Sequence, residues 1–220
     1  MAYQIIIADD HPLFRAALRQ AVNQAVEDVA IHEVDTIAAL QDAVESNSDL
    51  DLVLLDLKMP GAHGFSGLAF MRGQYPGLPV VMVSGSEELP VIRKALDYGA
   101  SGFIPKSSSL PAITSAIQVV LNGEIWLPDD VKSKVAQMES APTDFSEKLA
   151  TLTPQQFRVL GMLTEGMLNK QIAYDLDVSE ATVKAHITAL FRKLGVRNRT
   201  QAVIAVQQLE VDNPGSSDLA

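Results

Sequence analysis

The sequence contains no cysteine and comparatively few basic residues, and each shortage excludes some classes of function. With no Cys among its 220 residues, the chain has no disulfide framework, no thiolate zinc site and no cysteine nucleophile. Its 17 Lys and Arg are outnumbered by 27 Asp and Glu, which gives a formal net charge of -10. Such a chain is unsuited to binding nucleic acid along its whole length, because the phosphate backbone attracts positive charge.

Long apolar runs are missing as well. No stretch approaches the roughly 18 residues that a membrane span needs, and residues 1–4 show no basic region ahead of a signal-like apolar stretch. The composition, 47% hydrophobic and 20% charged, is that of a globular protein. We therefore expect a folded cytoplasmic protein, and the length favours two domains, since domains cluster near roughly 100 to 150 residues.

The charges that are present are unevenly distributed. Residues 1–128 carry 7 Lys and Arg against 15 Asp and Glu, and residues 129–150 carry 3 against 5. Residues 151–211 reverse the balance, with 7 against 5. A basic excess confined to one segment is the distribution expected when only one domain contacts nucleic acid.

Short apolar runs alternate with helical patterns in residues 1–128. The β-like runs lie at residues 4–8, 30–34, 52–55, 80–83 and 102–104. The runs IIIA, LVLL and VVMV are continuously apolar, which is typical of parallel strands buried on both faces by crossover helices. Pro12 is expected at a first helical position, and Asp35 is the expected N-cap of the next helix. The pattern predicts an α/β fold, a (βα)5 doubly wound parallel sheet of the flavodoxin-like type.

The pattern changes after the fifth predicted helix. Residues 129–150 are mostly polar and are predicted to form a linker. Beyond them the patterns are helical only, with about four helices, so a small all-α domain is predicted over residues 151–211. Residues 212–220 are rich in turn formers and lack apolar periodicity, and we expect them to be disordered.

Chemically active side chains follow the predicted strands where those strands end. They are Asp9 and Asp10 after the first run, Asp56 after the third, Ser84 after the fourth and Lys106 after the fifth. Ligands of open parallel sheets gather outside the carboxyl ends of the strands. Three carboxylates crowded there repel one another unless a hard divalent cation such as Mg²⁺ neutralises them. Asp56 could then attack phosphorus, while Lys106 and Ser84 bind the phosphoryl oxygens.

A short helix, a turn and a longer helix are predicted within the all-α domain. Residues 153–156 form a capping box that starts the first helix of the domain. The short helix covers residues 169–175, and the Ser179 hydroxyl can cap a longer helix that ends at residue 194. One face of that helix is apolar, with Val183, Ile187, Leu190, Phe191 and Leu194. The opposite face presents basic and small residues that suit a DNA major groove, namely Lys184, Ala185, Thr188 and Arg192.

These segments resemble two known bacterial families. ADDHPLFR, LLDLKMPG, VSG and GASGFIPK are similar to the successive signature segments of response-regulator receiver domains. LTPQQFRVL, EGMLNKQIA and VSEATVKAHITALFRKLGVRNRTQAV resemble the LuxR-type helix-turn-helix DNA-binding domain. Their combination is that of the NarL/FixJ subfamily of two-component response regulators. The resemblance implies a receiver that accepts a phosphoryl group from a sensor histidine kinase, and a dimer that binds double-stranded DNA and regulates transcription.

The resemblance also implies roles for single residues in the receiver. Asp56 would be the phosphoacceptor, Lys106 would contact the phosphoryl group, and Ser84 with Phe103 would form the switch. Mg²⁺ would be held by Asp9, Asp10, Asp56 and the Lys58 carbonyl. Catalysis would be limited to Mg²⁺-dependent phosphorylation and dephosphorylation of the protein itself, so the chain is not expected to be an enzyme.

For the DNA-binding domain, the resemblance places Lys184, Ala185 and Thr188 at base edges. The residues implied near phosphates are Asn169, Lys170, Thr182, Arg192 and Lys193. Leu168 departs from the Ser or Thr that is common in the family. The last helix, from about Arg199 to Leu209, would join two copies, so a two-fold dimer would read an inverted repeat. RNA polymerase is a further candidate partner.

Two alternatives stay open at the level of sequence. An enzyme of the haloacid-dehalogenase class also uses an Asp nucleophile and Mg²⁺, but it needs a second Asp two residues further on, whereas Asp9 and Asp10 are adjacent. A DNA-binding protein whose receiver no longer takes phosphate is disfavoured by the complete set of polar side chains. An Asp after a strand is by itself more often a helix cap or a solvated loop residue, so the prediction depends on the whole set.

Overall fold

The structure, a computed structural model, describes residues 2–138 and 144–209. The tail predicted to be disordered, residues 212–220, lies outside these ranges, as do a few residues of the predicted linker. Among the helices of the described ranges, none has the length and apolar character to cross a membrane.

The first part of the chain forms five strand–helix units around one parallel sheet. The strands are β1 (Tyr3–Ala8), β2 (Val29–Val34), β3 (Leu52–Asp56), β4 (Val80–Ser84) and β5 (Gly102–Pro105). The helices are α1 (Pro12–Ala25), α2 (Ile37–Ser46), α3 (Ser66–Gln74), α4 (Leu89–Asp97) and α5 (Leu110–Leu121). All pairings are parallel, in the order β2-β1-β3-β4-β5. The predicted doubly wound α/β fold is confirmed, and β3 and β4 are buried at every residue, as continuous apolar runs require.

The helix starts show how closely local signals place an element. Pro12 is the first residue of α1, as predicted. The predicted cap of α2 is wrong by one residue, because Thr36 rather than Asp35 occupies that position. The Thr36 hydroxyl accepts a hydrogen bond from the backbone N–H of Ala39 at 3.2 Å, so α2 begins at Ile37.

The second part of the chain is helical in its described residues. Its helices are α6 (Asp129–Ala136), α7 (Asp144–Ala150), α8 (Pro154–Thr164), α9 (Asn169–Asp175), α10 (Glu180–Leu194) and α11 (Arg199–Gln207). The four helices α8 to α11 are those predicted for the all-α domain, while α6 and α7 lie within the predicted linker. The capping box at Thr153 and the Ser179 cap of α10 are both present. Gly195, with φ at +72°, ends α10 in the left-handed conformation.

The apolar core lies on both faces of the sheet. Side chains from β1, α1 and α5 fill one face. On the other face, side chains of α2, α3 and α4 form a core that continues into α8, α10 and α11 without a break. The helical domain is therefore packed directly against the α/β domain.

The contact between the two domains is formed by α2, α3 and the loop between β3 and α3. The Phe70 ring of α3 stacks on the Phe157 ring of α8, with centroids 4.3 Å apart. The Arg158 guanidinium donates to Gln41 Oε1 at 2.8 Å and also pairs with the Asp42 carboxylate. This interface joins aromatic packing to charged hydrogen bonds, and we call it the interdomain interface.

Two pairs of backbone segments approach very closely within the interdomain interface. A Cβ atom placed on Gly161 of α8 would lie 2.5 Å from the carbonyl oxygen of Gly61, in the loop after β3. A Cβ atom placed on Gly73 of α3 would overlap Ala150, the last residue of α7. Both contacts require glycine, because any larger side chain would push the two segments apart.

Candidate functional site

The carboxyl ends of β1, β3 and β5 bring four of the predicted residues together. The Lys106 ammonium lies 2.8 Å from Asp56 Oδ2 and 2.7 Å from Asp9 Oδ2. Asp9 is fully buried and Asp56 is 4% exposed, while Asp10 is partly exposed at the mouth of the site. The pairing of β1 with β3, and of β3 with β4, sets these side chains side by side, since parallel strands end at the same edge. We call this group the acidic pocket.

The acidic pocket raises the pKa of both the Asp56 carboxyl and the Lys106 ammonium. Burial raises the pKa of the Asp56 carboxyl above its ordinary value, and the Asp9 charge adds to the rise, while the hydrogen bond from Lys106 opposes it. Burial lowers the pKa of the Lys106 ammonium, but its contacts with Asp56 and Asp9 outweigh burial and leave that pKa raised. Lys106 is therefore a fixed positive charge beside two carboxylates, and two negative charges remain crowded around one positive charge.

The donor atoms of the acidic pocket suit a divalent cation. One ligand atom each from Asp9, Asp10, His11 and Asp56 lies within 4.8 Å of the others. Asp9 Oδ2 and Asp10 Oδ1 are shielded from solvent and accept no well-directed hydrogen bond from the described residues. Lys106 Nζ lies 2.7 Å from Asp9 Oδ2, and His11 Nδ1 lies 2.6 Å from Asp10 Oδ1. Their lone pairs are available to a cation, and carboxylate oxygens are the ligands that Mg²⁺ prefers. The pocket is thus typical of a Mg²⁺ site.

Lys58 lies beside the acidic pocket through its backbone. Its N–H donates to Asp56 Oδ1 at 3.3 Å, and its side chain is exposed. The loop after β3 therefore passes close to the phosphoacceptor candidate. The role of the Lys58 carbonyl as a metal ligand stays a prediction.

Three residues of the acidic pocket were not identified from the sequence. The His11 imidazole lies among the carboxylates, with Nδ1 2.6 Å from Asp10 Oδ1. The Arg15 guanidinium donates to the carbonyl oxygen of Asp9 at 2.6 Å, and the Phe14 ring lies 5.0 Å from the Lys106 ammonium. All three lie in the first turn of α1 or just before it. The available signal was their position directly after the two aspartates, in a segment that must pass over the pocket.

The two predicted switch residues are buried, Ser84 at the end of β4 and Phe103 within β5. The Ser84 hydroxyl accepts a hydrogen bond from the backbone N–H of Ser86 at 3.1 Å, so it is held by its own loop. Phe103 is fully buried in β5. The Ser107 hydroxyl is hydrogen-bonded to the Glu87 carboxylate, which joins the loop after β4 to the loop after β5. Ser84 is opposite Pro105 in the pairing of β4 with β5, two residues beyond Phe103, and the switch role of Ser84 and Phe103 stays a prediction.

The outer face of α10 is open to solvent. Lys184, Ala185, Thr188 and Arg192 are all exposed, and so is Thr182 in the first turn. On the opposite face Val183, Leu190 and Leu194 are buried, as the predicted apolar stripe requires. Ile187 and Phe191 are partly buried against the same core. Within the described ranges, the α/β domain therefore does not cover the face predicted to meet DNA.

The remaining predicted DNA contacts differ in their surroundings. Lys170 is exposed and Asn169 partly exposed at the start of α9. The Lys193 ammonium is turned into the domain, where it donates to the Thr151 carbonyl at 2.7 Å and to Gln156 Oε1 at 2.8 Å. A phosphate contact by Lys193 stays a prediction, and it would require these two hydrogen bonds to break.

Helix α11 has one face in the domain core and another exposed. Ala202 and Val206 are buried, and Leu209 just beyond the helix is buried as well, whereas Ile204 is 50% exposed. The Leu209 carbonyl accepts from the backbone N–H of Phe65, in the loop that leads into α3, at 3.4 Å. The end of the helix predicted to form a dimer is therefore in contact with the other domain.

Comparison with known proteins finds two family models in this chain. Residues 5–118 match the response regulator receiver domain, and residues 150–206 match the bacterial regulatory proteins of the luxR family. The glycerol metabolism activator of Pseudomonas putida is 43% identical over 213 residues, which cover 94% of this chain and 96% of that protein. The nitrate/nitrite response regulator protein NarP of Escherichia coli is 32% identical, with 94% and 95% of the two chains covered.

Solved structures with the same fold include response regulators of Salmonella typhimurium. A structure of RcsB from that organism aligns with a TM-score of 0.57 at 23% identity, over 92% of this chain and 97% of the other. A complex of the response regulator RcsB with DNA aligns with a TM-score of 0.56 at 23% identity, over 93% and 98% of the chains. The likeness extends through both domains.

Proposed function

Since the chain belongs to the bacterial response regulators that join a receiver domain to a LuxR-type DNA-binding domain, we propose that Asp56 is its phosphoacceptor and that phosphorylation controls its binding to DNA. The observation that supports this most strongly is the position of Lys106, whose ammonium lies within 2.8 Å of both Asp56 and Asp9 at the ends of three different strands. Membership of this family favours the proposal over an enzyme of the haloacid-dehalogenase class.

The proposed reaction is transfer of a phosphoryl group to Asp56 from a phosphohistidine of a sensor kinase. An Asp56 oxygen forms a bond to phosphorus while the bond from phosphorus to the donor nitrogen breaks, and the electron pair of that bond stays on the donor imidazole. Lys106 attracts the oxygens of the transferred group and balances the charge that they bring. Bound Mg²⁺, held by Asp9, Asp10, Asp56 and the Lys58 carbonyl, would neutralise the negative charge that otherwise repels the donor.

The Ser84 hydroxyl supplies a donor that becomes available after transfer. It now accepts a hydrogen bond from the Ser86 N–H, and its own proton can be directed to a phosphoryl oxygen by rotation about one bond. We propose that this rotation, with a movement of Phe103, shifts the protein between two pre-existing arrangements. Self-phosphorylation by a small phosphodonor and slow hydrolysis of the acyl phosphate are the two reactions expected of the protein itself.

The output is proposed to be a dimer that binds double-stranded DNA in the cytoplasm. Lys184, Ala185 and Thr188 would face base edges, and Lys170 with Arg192 would lie near phosphates. Because the outer face of α10 is exposed, we propose that the receiver restrains the protein by holding α8 and the end of α11, which hinders dimerisation. RNA polymerase is a further proposed partner, since the relative from Pseudomonas putida is named an activator.

Phosphoryl uptake tests the proposed function directly. Wild-type protein is incubated with acetyl phosphate and Mg²⁺, and the added phosphoryl group is measured by intact-protein mass spectrometry. Uptake is expected for the wild type, and not for Asp56→Ala. The matched control is Asp49→Ala, an exposed carboxylate outside the pocket, which should behave as wild type. A wild type that takes up no phosphoryl group, or an Asp56→Ala variant that does, would overturn the assignment.

The link to DNA is measured with the same proteins. Phosphorylated wild type is expected to bind promoter DNA more tightly and to sediment as a dimer. Asp56→Ala should show neither change after the same incubation. Equal affinity and equal mass before and after phosphorylation would contradict the proposed control of DNA binding.

A further inference from the structure

His11 extends the acidic pocket with a nitrogen donor. Its Nδ1 atom lies 2.6 Å from Asp10 Oδ1, 3.3 Å from Asp9 Oδ1 and 3.8 Å from Asp56 Oδ2. The imidazole therefore contacts carboxylates that follow two different strands. Its side chain is 64% exposed, so it lies on the solvent side of the pocket.

The spacing of these atoms fits the first coordination shell of one divalent cation. With metal–ligand bonds of about 2.1 Å in an octahedron, adjacent ligands are about 3 Å apart and opposite ligands about 4 Å apart. The distances from His11 Nδ1 to Asp9 and Asp56, at 3.3 and 3.8 Å, lie in this range. The shorter contact with Asp10 is a hydrogen-bond distance, and a cation on Nδ1 would take the place of the proton there.

The backbone holds His11 at this position. Its N–H donates to Asp9 Oδ1 at 2.8 Å. The next residue, Pro12, restricts His11 to an extended conformation, and the observed φ of -94° and ψ of 107° are of that kind. A backbone that is already restricted loses little conformational entropy when the side chain binds a ligand, so the His11 backbone is preorganised for the pocket.

We propose that His11 is a nitrogen ligand of the cation in the acidic pocket, and that it makes the site favour divalent transition metals such as Ni²⁺ over Mg²⁺. Imidazole suits transition metals, whereas Mg²⁺ prefers carboxylates, carbonyls and water. A pocket of three carboxylates alone would discriminate little in favour of a softer ion, and the added imidazole supplies that preference. This inference rests on the proposed function, because it assumes that the acidic pocket binds a cation.

Calorimetric titration at one fixed pH compares Mg²⁺ and Ni²⁺ on tag-free wild type, His11→Ala and His32→Ala. His11→Ala should lower the affinity for Ni²⁺ by at least about tenfold, because the loss of a residue that only orients a metal ligand already lowers metal affinity by about that factor. The affinity for Mg²⁺ should stay nearly unchanged. His32 lies on β2, where it contacts Gln4, and serves as the control that should change neither. Circular dichroism confirms that each variant is folded.

A spectroscopic measurement detects the bond itself. With Mn²⁺ bound, electron spin echo modulation from a directly coordinated nitrogen is expected in the wild type and in His32→Ala, and not in His11→Ala. Mn²⁺ bound without nitrogen modulation in the wild type would overturn the role of His11. So would equal losses of Mg²⁺ and Ni²⁺ affinity in His11→Ala.

Different results would reject the cation site itself. If the wild type binds neither Mg²⁺ nor Ni²⁺, or if Asp56→Asn binds both as tightly as the wild type does, the acidic pocket is not the cation site. In that case the role of His11 is rejected together with it. Binding of Mg²⁺ that is lost in Asp56→Asn, with no effect of His11→Ala on Ni²⁺, rejects only the role of His11.

Discussion

Asp56 is held in an unfavourable electrostatic position in the absence of a cation. It is buried, and the nearby Asp9 charge opposes its ionisation, so its pKa is raised. A carboxyl with a raised pKa in the folded state binds protons there more readily than in the unfolded chain. Its contribution to stability is therefore fully present below the ordinary pKa, and it is lost as the pH rises through the raised value.

Asp56→Asn should stabilise the cation-free protein at neutral pH. The amide keeps the shape of the carboxyl and removes the buried negative charge. We expect the free energy of unfolding to rise by about 0.5 to 2 kcal/mol, the usual range for stabilising substitutions. The gain should shrink as the pH falls below the raised pKa, because the wild-type carboxyl is then neutral too. Denaturant titration at several pH values measures this.

Mg²⁺ should make the wild type more stable than Asp56→Asn, the reverse of the order expected without a cation. A cation that binds only the folded state stabilises it, and the wild type has the charge that attracts it. Thermal melts with and without chelator are expected to show a larger Mg²⁺-dependent increase for the wild type than for Asp56→Asn. An Asp56→Asn protein that is less stable than the wild type without Mg²⁺ would show that the pair with Lys106 outweighs the repulsion.

The residues of the acidic pocket differ in how far the sequence could reveal them. Asp9, Asp56 and Lys106 were predictable because each directly follows an apolar run, and parallel strands end at one edge. The contacts of His11 in the pocket were not predictable, and neither were those of Lys193 in the helical domain, because both depend on the direction of a side chain. His11 turns back over the two aspartates, and Lys193 turns towards the start of α8. A helical wheel assigns a face, but it does not assign the end point of a long flexible side chain.

At the level of the helix, two basic residues of α10 should differ in their effect on DNA binding. Arg192 is on the exposed outer face, while Lys193 is hydrogen-bonded within the domain. Because Arg192 is proposed to lie near a phosphate, Arg192→Ala should reduce the slope of log K against log salt concentration by about one unit. Lys193→Ala should leave the slope nearly unchanged and lower the melting temperature of the domain.

Salt titrations of DNA binding by fluorescence anisotropy give these slopes. Lys132→Ala is a suitable control, since Lys132 lies on α6 and pairs with Asp129. It should change neither the slope nor the melting temperature appreciably, because exposed ion pairs contribute little. A flattened slope for Lys193→Ala would show that its internal hydrogen bonds break on DNA and that the predicted phosphate contact is made.

Helices and strands were predictable where a local signal was strong. The five strands lie within a residue or two of the apolar runs, and α10 begins and ends where Ser179 and Gly195 predict. Helices α6 and α7 had no such signal. Their buried residues, Val131, Val135 and Leu149, are covered by packing against other parts of the molecule. Tertiary packing rather than local propensity therefore accounts for these two elements.

At the scale of the whole molecule, the contact between Gly61 and Gly161 provides a steric test of the interdomain interface. Gly161→Ala should favour α8 itself, since Ala is better than Gly in a helix by about 1 kcal/mol. The added Cβ would lie 2.5 Å from the Gly61 carbonyl oxygen, so it should separate the domains. We expect a larger radius of gyration by small-angle X-ray scattering and tighter DNA binding without phosphorylation.

Gly77→Ala is the matched control for this substitution. A Cβ atom placed on Gly77 would meet no atom of the described residues within 4 Å, so it would press on neither domain. The substitution should leave both the radius of gyration and the DNA affinity unchanged. If Gly161→Ala leaves the scattering curve as it is in the wild type, the close approach of the two glycines does not hold the domains together.

The interdomain interface also sets how the protein responds to its own abundance. Because both partners of this interface belong to one chain, the receiver competes for α8 and α11 at a fixed effective concentration, in the millimolar range for a short tether. Dimerisation is bimolecular, so the fraction of the protein that is dimeric rises with the number of molecules in the cell. A cell that makes more of this protein should therefore need less phosphorylation to reach the same occupancy of its DNA sites.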